Sequence, residues 1–201
     1  NSFLPQVIAS KLPDVRFVEL RDSVQIDIEG AGTWTARIQG GKPLVASGPA
    51  DNPLLTLALS AKAIEAGLGR SGVAGIDLDA TDVSAPARAI AEALTQELAD
   101  SVREQVRGTI KFALARGDGM EEALFLGFSS VDPGAPTCTI QTTEDEFREM
   151  IELGLTPQQA FMAGKIRLEG DMSIAMTLAM IAMPLLEPGM KFLTGRMKGR
   201  G

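Results

Sequence analysis

Glu144, Asp145 and Glu146 are three consecutive acidic residues whose carboxyl groups could act as a general acid and a general base. They follow Thr143 at the predicted start of a helix, where Thr143 and Glu146 have the spacing of a capping box. Negative charge at a helix start is also stabilised by the helix dipole. We therefore expect these acids to stabilise a helix rather than to catalyse a reaction.

The remaining composition is poor in catalytic groups. The 201-residue chain has no histidine, which removes the commonest general base, the commonest metal ligand and the usual partner of a nucleophile. Its one cysteine, Cys138, cannot form an internal disulfide or a cysteine-based zinc site. A net charge of −7 argues against nucleic acid as a partner. We predict a protein that is not an enzyme and needs no metal or cofactor.

Apolar residues are the more informative group. They make up 45% of the chain, and nine are methionines, whereas aromatic residues make up 4%. Methionine is flexible and fills irregular apolar spaces. The composition is typical either of an ordinary core with methionine as filler or of a cavity that accepts apolar ligands of variable shape.

Two similar patterns of strands would position these residues. The first comprises GTWTARIQGGKPLVASG from Gly32 and LLTLALSAKAIEAGL from Leu54, and the second comprises GTIKFALARGDGMEEALFLGFSS from Gly108 and TCTIQTTEDEFREMIELGL from Thr137. Apolar and polar residues alternate in both, which predicts strands of an antiparallel sheet with one buried face. The glycines at 40–41 and 117–119 predict turns.

A further strand and an apolar helix complete each pattern. GIDLDA from Gly75 resembles KIRLEG from Lys165, and a helix rich in alanine or methionine follows each segment. Each pattern is therefore three strands, a helix, a strand and a helix. The second final helix, from Ser173, is apolar on nearly all sides, so we expect it to be buried on more than one side. Ser60 is the predicted cap of the first pattern's earlier helix.

Residues 84–106 are apolar at helical spacing and predict one helix of about 35 Å that joins the two units, with a kinked helix as the alternative. We place the boundary near Ala99. The predicted domains are residues 1–98, residues 99–188 and a basic tail of residues 189–201.

No segment predicts membrane insertion. The most apolar stretch, Met172–Leu186, has about 15 residues, whereas a spanning helix needs about 20. The single cysteine, the lack of a visible signal peptide and the lack of a peroxisomal tripeptide favour a bacterial cytoplasmic protein. The tail is either solvated or a weak contact for anionic lipid headgroups, worth about 1 kcal/mol per basic residue. Its basic residues are Lys191, Arg196, Lys198 and Arg200.

One series of motifs is specific. A polar-capped helix containing Phe is followed by Gly-x-Leu-x-Pro-x-x-Ala-Phe, a Gly-Lys-Ile strand, Gly-Asp-Met and an Ala-Met-x-Leu helix. The residues concerned are Phe147, Gly154, Leu155, Pro157, Ala160, Phe161, Gly164, Lys165, Ile166, Gly170, Asp171, Met172, Ala175, Met176 and Leu178. This series resembles the sterol carrier protein two family (SCP-2-like), most strongly over Gly108–Leu186. The preceding unit resembles it by pattern alone, as a degenerate, shortened copy.

The resemblance implies an α+β fold of two SCP-2-like units joined by a long helix. Each would be a mostly antiparallel sheet of about five strands covered by helices on one face. It also implies an apolar tunnel between sheet and helices for a sterol, fatty acid, fatty acyl-CoA or similar lipid, with no metal and no catalytic residues. The predicted function is non-catalytic binding and carriage of that ligand. The alternative is an accessory module that presents an apolar substrate to a partner enzyme or docks with it, or with a second copy.

The predicted ligand-binding residues are the apolar side chains of the second unit that face the sheet or the helices above it. They are Phe112, Phe147, Met150, Ile151, Leu155, Phe161, Met162, Ile166, Leu168, Met172, Met176, Met180 and Met183. We expect Phe161 and Met162 to face the sheet, and Ile166 and Leu168 to point inward on an edge or near-edge strand. For each residue, plain core packing is the alternative to a place in the tunnel wall.

Overall fold

The computed structural model describes residues 15–60, 84–128 and 131–198, which form eight strands and five helices. The strands are β1 (Ser23–Ile28), β2 (Gly32–Gln39), β3 (Lys42–Ser47), β4 (Leu55–Leu59), β5 (Gly108–Ala115), β6 (Glu121–Phe128), β7 (Cys138–Thr143) and β8 (Arg167–Gly170). The helices are α1 (Ser84–Ala93), α2 (Gln96–Gln105), α3 (Glu144–Leu153), α4 (Pro157–Met162) and α5 (Met172–Lys198). The helix predicted after Ser60 and the strand predicted at Gly75 lie outside the described residues.

All eight strands form one sheet in the order β3-β2-β1-β4-β6-β5-β7-β8. Neighbouring strands are antiparallel, except that β1 is parallel to β4 and β5 is parallel to β7. Strand β4 pairs directly with β6, with Leu57 opposite Leu126. We call this pair the seam, because it joins the first half of the sheet (β1–β4) to the second half (β5–β8). The α+β class and the mostly antiparallel pairing are confirmed.

The prediction of a separate sheet in each unit is wrong, since the described strands of both halves form a single sheet. The seam accounts for the difference. An unpaired edge strand presents free backbone N–H and C=O groups, and here the edges of the two halves satisfy each other.

The strand pairing also corrects how the two halves correspond. Strands β1 and β5 each pair in a hairpin with the next strand and in parallel with a later one, so the β1–β2 hairpin is the counterpart of β5–β6. The sequence interpretation began the first pattern at Gly32 and missed β1. The signal was present, because Val24, Ile26 and Ile28 alternate with polar residues.

The predicted long helix is wrong as well, because the chain breaks it at Thr95. Thr95 has an extended backbone (φ −115°, ψ 162°), and its hydroxyl oxygen accepts a 3.2 Å hydrogen bond from the Leu98 amide, which caps α2. Helices α1 and α2 are therefore separate. The proposed domain boundary near Ala99 falls inside α2.

Local signals around β7 and β8 behave as predicted. The Thr143 amide donates to Glu146 Oε2 at 3.1 Å and the Glu146 amide donates to Thr143 Oγ1 at 3.2 Å, which confirms the capping box. Gly170 has φ +85°, and a Cβ added there would lie 2.5 Å from the Thr137 carbonyl oxygen. This close approach requires glycine at the turn into α5. The short helix predicted at Pro157 is α4, and its first turn contains that proline.

The core lies between one face of the sheet and α5. Ile174 and Ala175 of α5 are buried against Val106, Ile110 and Cys138. Helix α5 also contacts α1, α2, α3 and β7. Residues 189–198, assigned to a tail from the sequence, continue this helix. Within the described part of the chain, no helix is long and apolar enough to span a bilayer.

Candidate functional site

A row of apolar side chains crosses six neighbouring strands of the sheet, because strand register places paired residues on the same face. Its members are Ile28, Leu59, Leu124, Phe112, Ile140 and Leu168, each paired directly with the next. We call these six residues the apolar row. At about 4.8 Å between strands, the apolar row is roughly 24 Å long.

Every residue of the apolar row is only half-buried, although five of its six strands are interior to the sheet. Two residues earlier in the same strands, Ile110 and Cys138 are 0% exposed beneath α5. Phe112 and Ile140 contact that buried cluster at its margin. The helices thus seal the sheet over Ile110 and Cys138 and leave the neighbouring apolar row partly open. This is the arrangement that a floor for an apolar ligand requires.

The opposite face of the sheet is polar. Between the residues of the apolar row, the strands direct Asp27, Lys111 and Thr139 to the other side. Phe125, which pairs with Lys111, and Leu44, which pairs with Arg37, are large apolar exceptions on this polar face. The helical layer accordingly packs on the apolar face.

The structure divides the predicted ligand-binding residues into an inner and an outer group. Phe112 and Leu168 lie in the apolar row, and Leu168 is on the edge strand β8, as predicted. Met150 of α3 is buried. The half-buried members on other elements are Phe147, Leu155, Ile166 and Met183. Ile151 belongs to α3, but its side chain lies outside the described part of the structure.

The outer group consists of exposed side chains on α4 and α5. Its members are Phe161, Met162, Met172, Met176 and Met180. Met162 is 79% exposed, so the prediction that it faces the sheet is wrong. It lies in the last turn of a six-residue helix, where Ala160 takes the buried position.

Helix α5 has two apolar sides, of which one is exposed. Ile174 and Leu178, four residues apart, pack on the core side. Met172, Met176 and Met180 repeat at the same interval, about half a turn away, and Met180 is 70% exposed. Within this chain the second apolar side of this stretch is exposed, so its burial by a ligand or a second subunit stays a prediction. We call these three residues the methionine face.

Sequence reasoning missed four residues of the apolar row, namely Ile28, Leu59, Leu124 and Ile140. The alternating pattern of their strands would have predicted that each is on an apolar face. Their arrangement in one row depends on strand order and register, including the seam, and these are not local properties of the sequence.

A polar cleft of about 410 Å³ is lined by α2 and by the segments at the starts of β1 and β4. Its lining residues are Arg21, Asp22, Ser23, Asp51, Asn52, Gln96, Asp100 and Arg103. Asp22 forms an ion pair with Arg103 and accepts a 2.9 Å hydrogen bond from Gln96. Burial by itself raises the pKa of Asp22, but the hydrogen bonds from Arg103 and Gln96 and the nearby positive charges leave that pKa below its usual value. These contacts tie α2 to the chain before β1.

The candidate catalytic groups are engaged in structural roles. Burial, followed by the negative charge of Asp171, raises the pKa of the Cys138 thiol, which disfavours the nucleophilic thiolate. Glu144 and Asp145 pair with Arg148 at 3.4 and 3.0 Å, and Glu146 caps α3. Hydrogen bonds from Thr143 lower the pKa of Glu146. The acidic run therefore stabilises a helix start, as predicted.

The fold and the apolar row define an α+β protein with an open apolar strip between its sheet and helices. Residues 89–183, just under half of the chain, match the model of the SCP-2 sterol transfer family. The matched segment includes all thirteen predicted ligand-binding residues and the strands of the second half. The family resemblance seen in the sequence is thus confirmed for this segment.

Individual relatives are more distant. Stomatin-like protein 1 of Homo sapiens is 27% identical over 107 residues, which cover 47% of this chain and 27% of that protein's length. A crystal structure of Sterol Carrier Protein 2 Like 2 from Aedes aegypti is 23% identical and covers 37% of this chain and 73% of its own, with a TM-score of 0.30. The apo form of Sterol Carrier Protein 2 from Yarrowia lipolytica is 21% identical and covers 41% of this chain and 76% of its own, with a TM-score of 0.32. The solution structure of sterol carrier protein domain 2 of Helicoverpa armigera is 25% identical and covers 52% of this chain and 79% of its own, with a TM-score of 0.31.

Proposed function

We propose that this protein binds and carries a lipid-like ligand, without chemical change, in an apolar tunnel above the apolar row. The ligand class is a sterol, fatty acid, fatty acyl-CoA or similar molecule. The observation that carries the proposal is the half-burial of large apolar residues at the centre of a sheet, within a segment that matches a sterol transfer family. The sealed core of the same sheet differs, because Ile110 and Cys138 there are fully buried.

Apolar contact alone suffices for useful affinity. Each buried methylene contributes about 0.8 kcal/mol, so ten methylenes contribute roughly 8 kcal/mol before binding costs. Micromolar affinity corresponds to about 8.2 kcal/mol. Carriage requires reversible binding, so an affinity in this range or somewhat weaker is appropriate.

The inner group of predicted residues forms the wall in this proposal. Phe112 and Leu168 supply the floor, and Met150 and Phe147 of α3 supply part of the cover. Helix α3 contacts both β7 and α5, which places it beside the floor. Leu155, Ile166 and Met183 complete the inner group. The methionine face is not assigned to the tunnel, because it points away from the core.

Substituting Phe112→Trp tests the tunnel against plain core packing. If space lies above Phe112, the larger ring fits and the fold survives. The ring then occupies ligand space, so the affinity for a fluorescent fatty acid or sterol analogue falls by at least about tenfold. If Phe112 is packed core, the ring overpacks and destabilises the fold by about 1–3 kcal/mol. The matched control is Phe125→Trp, the same substitution on the polar face of the adjacent strand.

The expected result is binding by the wild-type protein and by Phe125→Trp, with loss in a folded Phe112→Trp variant. Unchanged affinity in the folded Phe112→Trp variant would reject the floor. An absence of binding to every fatty acid and sterol probe by the wild-type protein would reject the function. Native mass spectrometry of the purified protein provides an independent readout, because carriage predicts a co-purified lipid.

We also propose that ligand exchange occurs at an anionic membrane, which the methionine face contacts. Helix α5 continues from that face to Lys198, and residues 188–201 contain four basic residues and no acidic residue, although the whole chain has a net charge of −7. This charge asymmetry favours an anionic surface at the end of α5. The basic residues are Lys191, Arg196, Lys198 and Arg200, whose side chains lie outside the described part of the structure. A stable protein complex without lipid in native mass spectrometry would instead favour the accessory module.

A further inference from the structure

The apolar row continues beyond the segment that matches the lipid-binding family. Phe112, Leu124, Ile140 and Leu168 belong to residues 89–183, but the row continues through Leu59 of β4. It then reaches Ile28 of β1 by direct pairing with Leu59. These last two residues are half-buried, like those of the matched segment.

The seam itself presents no polar barrier on this face. Leu59 lies opposite Leu124, and two residues away Leu57 lies opposite Leu126. Leu55, at the start of β4, packs against the buried cluster of the second half. Within the paired stretch of the seam, Thr56 points to the other face of the sheet, whereas Glu122 of β6 lies on the apolar face beyond that stretch, two residues from Leu124, and forms an ion pair with Arg116. An apolar chain that lies along the row can therefore cross the seam over Leu59 and Leu124, within a paired stretch that presents no polar side chain on this face.

The length of the apolar row determines which acyl chains can reach across the seam. The four positions from Leu124 to Leu168 span roughly 14 Å, and the two further positions extend the row to roughly 24 Å. A short acyl chain fits over the second half alone, whereas a long chain extends past Leu124 onto Leu59.

From these observations we infer that the first half supplies the distal end of the ligand site, with Leu59 and Ile28 selecting for long apolar chains. This inference rests on the proposed function. It assigns a specificity role to residues outside the family-matched segment. The first half is then part of the binding site rather than only a neighbouring unit.

Chain-length dependence tests the inference. Leu59→Trp fills the row just beyond the seam, so affinity for palmitate should fall by about tenfold, the loss expected when roughly two methylenes leave the site. Affinity for octanoate should stay the same, whereas Phe112→Trp should weaken both ligands. Phe125→Trp is the matched control, because it places the same ring at the seam on the polar face. The readout is displacement of a fluorescent fatty acid from the full chain.

Three outcomes overturn the inference. Unchanged palmitate affinity in a folded Leu59→Trp variant would confine the ligand to the second half and leave the proposed function intact. Equal losses for palmitate and octanoate would mean that Leu59 does not select for length. If Leu59→Trp does not fold, a palmitate probe with a terminal diazirine is photocrosslinked to the wild-type protein. Peptides from β1 or β4 are expected as products, and crosslinks confined to residues 89–183 would refute the crossing.

Discussion

Replacing Leu55 with alanine should weaken both halves of the sheet, although Leu55 lies in the first half. Its side chain is half-buried and packs against the cluster that contains Val106, Ile110 and Phe128. A fully buried leucine loses about 2–5 kcal/mol when truncated to alanine, so we expect about 2 kcal/mol here. With a urea dependence of about 2 kcal/mol per molar, the unfolding midpoint should fall by about 1 M.

The chain contains a separate reporter for each half. Trp34, its one tryptophan, is buried in β2 of the first half and gives a fluorescence signal. Cys138, its one cysteine, is buried in β7 of the second half, and its reaction with a chromogenic disulfide reports exposure of the thiol. Both signals are followed through the same urea titration. In Leu55→Ala, both midpoints should fall together.

Leu44→Ala provides the matched control, because Leu44 is exposed on the edge strand β3. It should change stability by no more than about 0.5 kcal/mol. A Leu55→Ala variant in which the Trp34 midpoint falls and the Cys138 midpoint stays constant would refute the reasoning. The two halves would then unfold separately, and the seam would not transmit stability.

Two further predictions concern charge and the membrane. The pKa of Asp22 is lowered in the folded protein, so its contribution is present above its unfolded pKa of about 3.9 and is lost as pH falls through the folded value. Asp22→Ala should therefore cost about 2 kcal/mol in urea unfolding near neutral pH and little in strong acid, and an equal cost at both would contradict the ion-pair assignment. Met180→Glu should reduce sedimentation with phosphatidylglycerol–phosphatidylcholine vesicles by about tenfold. Met120→Glu adds the same charge at a methionine in the turn between β5 and β6 that is 49% exposed, so this variant should bind as the wild type does. Equal binding by both variants would reject the methionine face.

Features set by neighbouring residues were predictable from the sequence. The capping box at Thr143, the helix start at Pro157 and the glycine turn at Gly170 each depend on a few consecutive side chains. The break at Thr95 was also encoded locally, since threonine is a good N-cap, but the apolar spacing continues across it and concealed the break.

Features set by distant contacts were not predictable. Neither β4 nor β6 contains a residue that specifies the other as its partner, because backbone hydrogen bonds form the ladder and apolar alternation is common to most strands. Helix α5 shows the same limit. Its sequence is apolar around the whole helix, and only the packed structure distinguishes the core side at Ile174 from the exposed side at Met176, which is 44% exposed.

The seam also limits how this protein can be divided. A fragment of residues 89–183 would retain β6 but lose β4, so the backbone amides and carbonyls of β6 that face β4 would be left without their strand partners. Such an edge, which carries Leu124 and Leu126, is a template for pairing with another chain. We therefore expect a fragment limited to the family-matched segment to associate through this edge more readily than a fragment that also includes β4.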